Sequence, residues 1–308
     1  MHVPPHEALF EATVAESVSL RHLFHLPTCY HDRPRLRWPL MLFLHGAGER
    51  GDDLALVRQH GPPKLVEERS LPFVLLSPQC PTDTTWLAML PALAALIEDA
   101  IGRYRVDPAR IYVTGLSMGG FGTWALAAAR PDLIAAIAPI CGGGDWFRGF
   151  PARVLDLWEM PVWAFHGARD QVVPPSGSQE LVALLQALGG PARLTIYPDA
   201  EHDSWTETYN NPALYRWLLS QRLAPHRRPR AHTASLPDGS PLCYWRGGGG
   251  CIIAPQTGGM ARLVPLAAET WRALQQGPAE EQALAEKLAA LGLPAELAPY
   301  VAAVRGID

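Results

Sequence analysis

A chain of 308 residues, 48% apolar and 18% charged, has room for one large domain and a small one, with an ordinary globular composition. A formal net charge of −4 argues against a general nucleic-acid binder, which carries a clear basic excess. Five scattered cysteines without a CxxC pair argue against a disulfide scaffold or structural zinc site and fit a reducing compartment.

The opening "MHVPPHEALFEATVAES" has no basic start and no apolar stretch of the kind a secretory signal needs. No run reaches the ~18 apolar residues of a membrane span. A cytoplasmic protein is expected, with no membrane partner. From about residue 12 to 222, apolar runs alternate with helical patterns. "PLMLFLHGAG", "FVLLSPQ", "RIYVTGLS", "IAAIAPICGG", "PVWAFHGARD" and "ARLTIYPDAEH" read as buried strands ending in small or polar residues. "LPALAALIEDAIGRY", "GGFGTWALAAARP" and "SGSQELVALLQALGG" read as helices between them. Such alternation predicts a doubly wound α/β domain with a mostly parallel sheet, its ligands at the carboxyl ends of the strands. The aromatic stretch "WFRGFPARVLDLWEM" either shapes an apolar pocket near Asp170 or packs a helix.

"LAPHRRPRAHTASLPDGS" crowds arginine and proline without an apolar period, a linker signature. The chain therefore divides into a domain over 1–223, a linker over 224–232 and a second domain over 233–308. In the last, "PLCYWRGGGGCIIAPQTGGMARLVP" reads as two or three short strands with glycine-rich turns. "LAAETWRALQQG", "AEEQALAEKLAALG" and "PAELAPYVAAV" read as three short helices.

The sequence Gly115-Leu116-Ser117-Met118-Gly119 lies between a strand and a helix. GxSxG in that setting lifts a serine hydroxyl clear of the sheet on a strained turn, and small residues on either side keep the turn free of collisions. A capping serine in a glycine-rich helix start is the plainer alternative. A serine nucleophile needs a base, and the base an acid, in the chain order Ser, Asp or Glu, His. Asp170 follows the strand "PVWAFHGARD" and His202 follows "ARLTIYPDAEH", so both emerge at the edge that carries Ser117. Asp199, Glu201 and Asp203 crowd His202 along the chain but do not face its ring. His166 is expected to bond backbone at its strand end, and His45 to organise its loop. An oxyanion needs two donors. One is the backbone N–H of Met118; the other comes from "HGAGERG", from Ala47 or Gly48, with Ala47 preferred. That loop lacks the GK[ST] of a phosphate-binding loop. With no HExxH, no clustered ligands and no dinucleotide fingerprint, the reading is a hydrolase with neither metal nor other cofactor.

Residues 38 to 220 resemble the α/β-hydrolases described as predicted peptidases, relatives of feruloyl-esterase-like and prolyl-oligopeptidase-like enzymes. The resemblance rests on segments such as "PLMLFLHGAGERGDD", "VTGLSMGGFGTWALAAARPD" and "PVWAFHGARDQVVPPSG". It implies Ser117, Asp170 and His202 as a catalytic triad, "HGAGER" as the oxyanion loop, and Trp86 and Trp205 as walls of a substrate cleft, where core packing is the alternative for both. Residues 241 to 292 are similar to PqqD-like domains, small winged-helix modules that bind leader peptides of ribosomally made, modified peptides. That likeness implies an α+β winged-helix domain with an exposed strand edge over roughly residues 241 to 265 that takes a leader peptide. Its helices carry no basic stripe, which counts against DNA. The expected activity is serine hydrolysis of an ester or peptide bond, sharpened to a captured peptide. An idle peptide-binding adaptor and a small-ester carboxylesterase with a structural tail are the alternatives.

Overall fold

The computed structural model describes residues 19–144, 150, 152–187 and 189–223. Further on it describes 232–235, 241–244, 249–256, 260–267, 273–274, 276, 280–292, 295, 298 and 302. The first block builds a seven-stranded sheet from β1 (His22–His25), β2 (Trp38–Leu44), β3 (Val74–Pro78), β4 (Val106–Leu116), β5 (Ala136–Ile140), β6 (Val162–Gly167) and β7 (Ala192–Tyr197). The spatial order is β1-β3-β2-β4-β5-β6-β7. β1 runs antiparallel to β3, and every other neighbouring pair is parallel.

The helices are α1 (Gly61–Leu65), α2 (Leu90–Arg103), α3 (Met118–Ala129), α4 (Ser176–Ala187), α5 (Trp205–Asn210) and α6 (Pro212–Ser220). Strand alternation distributes the core between the two faces. Leu40, Leu42 and Leu44 of β2 point into the apolar cluster formed with α2, α3 and α4. Met41 and Phe43 point the other way, into the cluster that holds Tyr209, Leu214 and Leu218 of α5 and α6. A strand buried on both faces must be apolar at every position, and "WPLMLFL" is. Proline stands in the first turn of α2 and of α6, and the Asn211 side chain accepts the Ala213 N–H at 2.9 Å to start α6.

The sequence reading named six of the seven strands and the three longest helices of this block. It passed over β1, α1, α5 and α6. In "WFRGFPARVLDLWEM", residues 146–149 and 151 are outside the described set. Phe150, Val154, Leu157 and Met160 are buried in the core, so those side chains pack rather than line an open pocket.

Beyond residue 223 the described segments are β8 (His232–Ser235), β9 (Pro241–Tyr244), β10 (Gly249–Gln256), β11 (Met260–Ala267) and α7 (Glu281–Ala290). β8 pairs antiparallel with β9, and β10 with β11. The strands expected over 241–265 and the helix within "AEEQALAEKLAALG" are therefore present. A winged-helix domain is not shown: most of the flanking helical stretches, and residues 224–231 of the expected linker, lie outside the described residues.

Candidate active site

The chain leaves β2 to build β3 on one side and returns to build β4 on the other. That reversal makes the carboxyl ends of β2 and β4 the switch point of the sheet, the place where open α/β sheets take their ligands. The loop after β2 and the turn after β4 both end there.

Ser117 sits between β4 and α3 with φ 53° and ψ −118°, in the left-handed region that side chains other than glycine avoid. The two glycines are required by contact. A Cβ on Gly115 would stand 2.5 Å from the Gly119 carbonyl oxygen and 2.6 Å from that of Leu44. A Cβ on Gly119 would stand 1.9 Å from Leu44 O. The turn is pinned from below, where Ser117 N–H donates to Ile140 O at 3.0 Å and lies 3.2 Å from the Cys141 thiol. Burial pushes that thiol up to about 12 despite the Ser117 N–H that favours the thiolate, so it is an uncharged support.

His202 Nε2 stands 3.0 Å from Ser117 Oγ, and His202 Nδ1 stands 2.8 Å from Asp170 Oδ2. Asp170 is buried. Its Oδ1 accepts the backbone N–H groups of Val172 and Val173, each at 2.9 Å. Burial works against the Asp170 charge, but the His202 hydrogen bond and the two N–H groups outweigh it and hold the carboxyl below the usual carboxylate range. Ser117, His202 and Asp170 are thus brought together as a linked line. Two of the three rival acids face elsewhere: Asp199 pairs with Arg169 at 2.7 Å, and Asp203 accepts the N–H and hydroxyl of Thr206 at the start of α5.

The loop after β2 is held from several directions. His45 Nε2 accepts the Cys80 N–H at 3.0 Å, which leaves the proton on Nδ1 to donate to Gly46 O at 2.6 Å. Burial pushes the His45 imidazole down to about 4, so it stays neutral. It organises the loop, as expected. The buried Glu49 accepts the Gly46 N–H at 2.7 Å, and Gln79 Nε2 donates to Glu49 O and Asp53 O, each at 2.9 Å. Ala47 and Gly48 remain exposed. Ala47 opens a 3-10 turn and Met118 opens α3, positions whose N–H groups have no acceptor inside their own helix.

The two tryptophans part company. Trp205 is half-buried and packs edge-on against His202 at 5.4 Å and against His60 at 5.5 Å, beside the line. Trp86 is 0% exposed and donates its indole N–H to His45 O at 2.9 Å. It is a prop beneath the loop, not a wall of a cleft, because no part of its ring meets solvent. Glu49, Gln79 and Cys141 went unremarked in the sequence. Only Glu49 left a signal there, three residues beyond Gly46 at the spacing of a capping box. Among the described residues no group of three or more His, Cys, Asp or Glu side chains is disposed to hold a metal ion.

The model of the Dienelactone hydrolase family matches residues 81–215, a span that holds Ser117, Asp170 and His202. Poly(3-hydroxyalkanoate) depolymerase C of Paucimonas lemoignei is 42% identical over 123 residues, which is 30% of this chain and 28% of that protein. The chain spans less than half the length of such curated relatives. Among solved structures, a thermostable esterase is 34% identical with a TM-score of 0.57 over 67% of this chain and 60% of its own. Esterase PE8 shares the fold at 22% identity and a TM-score of 0.50, over 66% of this chain and 99% of its own. The chain thus has an α/β-hydrolase-like fold and matches the Dienelactone hydrolase family over residues 81–215.

Proposed function

We propose that this protein is a serine hydrolase of carboxylic esters. The observation that carries the reading is the line Ser117 Oγ, His202 Nε2, His202 Nδ1, Asp170 Oδ2, with links of 3.0 and 2.8 Å at the switch point of the sheet. His202 takes the Ser117 proton as Oγ attacks the ester carbonyl, and Asp170 stabilises the imidazolium that results. The N–H groups of Met118 and Ala47 receive the oxyanion, since the Gly46 N–H is already taken by Glu49. His202 then passes its proton to the leaving alcohol. Water, deprotonated by the same ring, releases the acid from the acyl-enzyme. The esterase and depolymerase names of the relatives favour an ester over a peptide bond.

The test is hydrolysis of a short-chain aryl ester by the native chain and by Ser117→Ala. The variant is expected to lose at least about a thousandfold in kcat, and a variant that kept native turnover would sink the mechanism. A sharper form assigns the C-terminal region to capture of a leader peptide, raising the local concentration of a linked ester or peptide at Ser117. Its support is the resemblance over 241–292 and the antiparallel β10–β11 pair where a strand edge is needed. Equal turnover of substrates with and without a leader would count against it.

A further inference from the structure

We infer that His166 is a positioning residue of the site, holding Asp170 through the same carboxylate oxygen that faces His202. The inference rests on the serine-hydrolase reading for its kinetic consequences, and on geometry alone for the contact.

His166 is wholly buried at the end of β6. Its Nε2 lies 2.9 Å from Val173 O and 3.2 Å from Asp170 Oδ2. A carbonyl and a carboxylate can only accept, so the ring must carry its proton at Nε2 to make either contact. Its Nδ1 lies 2.9 Å from the Ser178 hydroxyl, whose single proton is shared between that nitrogen and Gly142 O, 2.6 Å away. The ring is thereby tied to α4 and to the segment just past β5. Asp170 then receives the N–H groups of Val172 and Val173 on Oδ1 and of His202 on Oδ2, and Oδ2 also faces the His166 Nε2–H, which lies nearer to Val173 O. With Oδ1 held by two amides and Oδ2 set between two rings, the carboxylate is restrained from swinging, and His202 keeps the tilt that brings Nε2 to Ser117.

Other titratable groups around this pair do not supply that restraint. Cys141 lies behind Ser117 as a neutral thiol, and Asp203 is committed to Thr206. Burial holds His166 below the usual imidazole range, so it acts as a neutral donor rather than a second cation.

The experiment compares two polar replacements in the full chain. His166→Gln returns an N–H close to the place of Nε2. His166→Asn reaches only the place of Nδ1, so it satisfies Ser178 and leaves Asp170 a donor short. His166→Asn is expected to lose about tenfold or more in kcat on the aryl ester at unchanged KM, as outer partners of orienting groups do. The acidic edge of its pH profile moves to higher pH, because a carboxylate with one donor fewer binds protons more readily. The His202 Nδ1–H proton resonance moves with it. His166→Gln stays near native in all three. Native behaviour of His166→Asn, or a loss in His166→Gln as large as in His166→Asn, would overturn the assignment. A native chain that hydrolysed no ester would instead remove the serine-hydrolase reading, and the resonance would still decide the role of His166.

Discussion

At the scale of single residues, the site depends on places where the backbone tolerates no change. Ser117 holds a positive φ of 53°, which costs on the order of 1–3 kcal/mol. The surrounding turn sustains that cost only because Gly115 and Gly119 let β4 and α3 touch backbone to backbone. Gly119→Ala would drive a methyl group to 1.9 Å from Leu44 O and 2.5 Å from Leu44 C, neither of which is a flexible side-chain end. We expect it to destabilise the fold by roughly 3 kcal/mol or more, read as a lowered denaturation midpoint, with ester hydrolysis lost as well. Gly48 makes the contrasting case. It is exposed, a Cβ there meets nothing within 4 Å, and its backbone is not left-handed. Gly48→Ala should shift stability by no more than about 0.5 kcal/mol and keep its N–H. If Gly48→Ala were as damaging as Gly119→Ala, glycine at both positions would answer to something other than steric fit.

At the scale of elements, the loop after β2 acts as a unit held by Glu49, Gln79, His45 and Trp86. Glu49 closes it, with its carboxylate 2.7 Å from Gly46 N and its own carbonyl held by Gln79. Removing a buried acceptor leaves the donor stranded, at about 1–3 kcal/mol. Glu49→Ala should therefore lower kcat for ester hydrolysis with a small effect on KM, because the Ala47 N–H loses its aim at the oxyanion. Glu49→Gln keeps an acceptor oxygen and should recover most of that loss. Equal defects in the two variants would place the role of Glu49 in its charge rather than in loop shape. Elements of this kind differ in how far the sequence reveals them. "PLMLFL", "FVLLSP" and "IAAIAPI" announce buried strands because both faces are covered and every position is apolar. "HLFH" of β1 is four residues long with histidine at each end, and its pairing with β3 is set by tertiary contact. α5 is a six-residue helix, too short to display a period, whereas Asn211-Pro212 is a local start signal for α6 that the sequence reading passed over. Ser117, Asp170 and His202 were legible because each follows a readable strand in a fixed order. Gln79, Cys141 and Ser178 act across segments that are distant in sequence, and no local pattern records such contacts. Trp86 was misplaced for the same reason, since an aromatic residue near a site reads alike whether it lines the cleft or supports it from behind.

At the scale of the whole molecule, the histidines of the catalytic half make the fold sensitive to acid. Burial pushes His25, His45 and His166 below the usual imidazole range, and for His45 from 6.5 to about 4. A histidine depressed in the fold binds protons more tightly once unfolded, so stability rises with pH through the interval between the two values. The His45 contribution is complete above pH 6.5 and is lost as pH falls toward 4, up to about 3 kcal/mol from a shift of that size. Asp170, held below the carboxylate range, adds to the loss only below the unfolded value of 3.8. Thermal midpoints measured from pH 7.5 down to 4.5 should therefore fall, at roughly 2–4 °C per kcal/mol for a domain of this size, with the slope beginning near 6.5 rather than near 4. His45→Gln offers no group that titrates in this interval. It should lower the midpoint at neutral pH, because the Cys80 N–H and Gly46 O contacts are disturbed, while flattening the slope between 6.5 and 4. A variant whose midpoint fell as steeply as the native one would move the acid sensitivity to His25 and His166. Because His45 also anchors the loop that carries Ala47, ester hydrolysis in the native chain should fall together with the thermal midpoint as that slope is descended, and His45→Gln should uncouple the two.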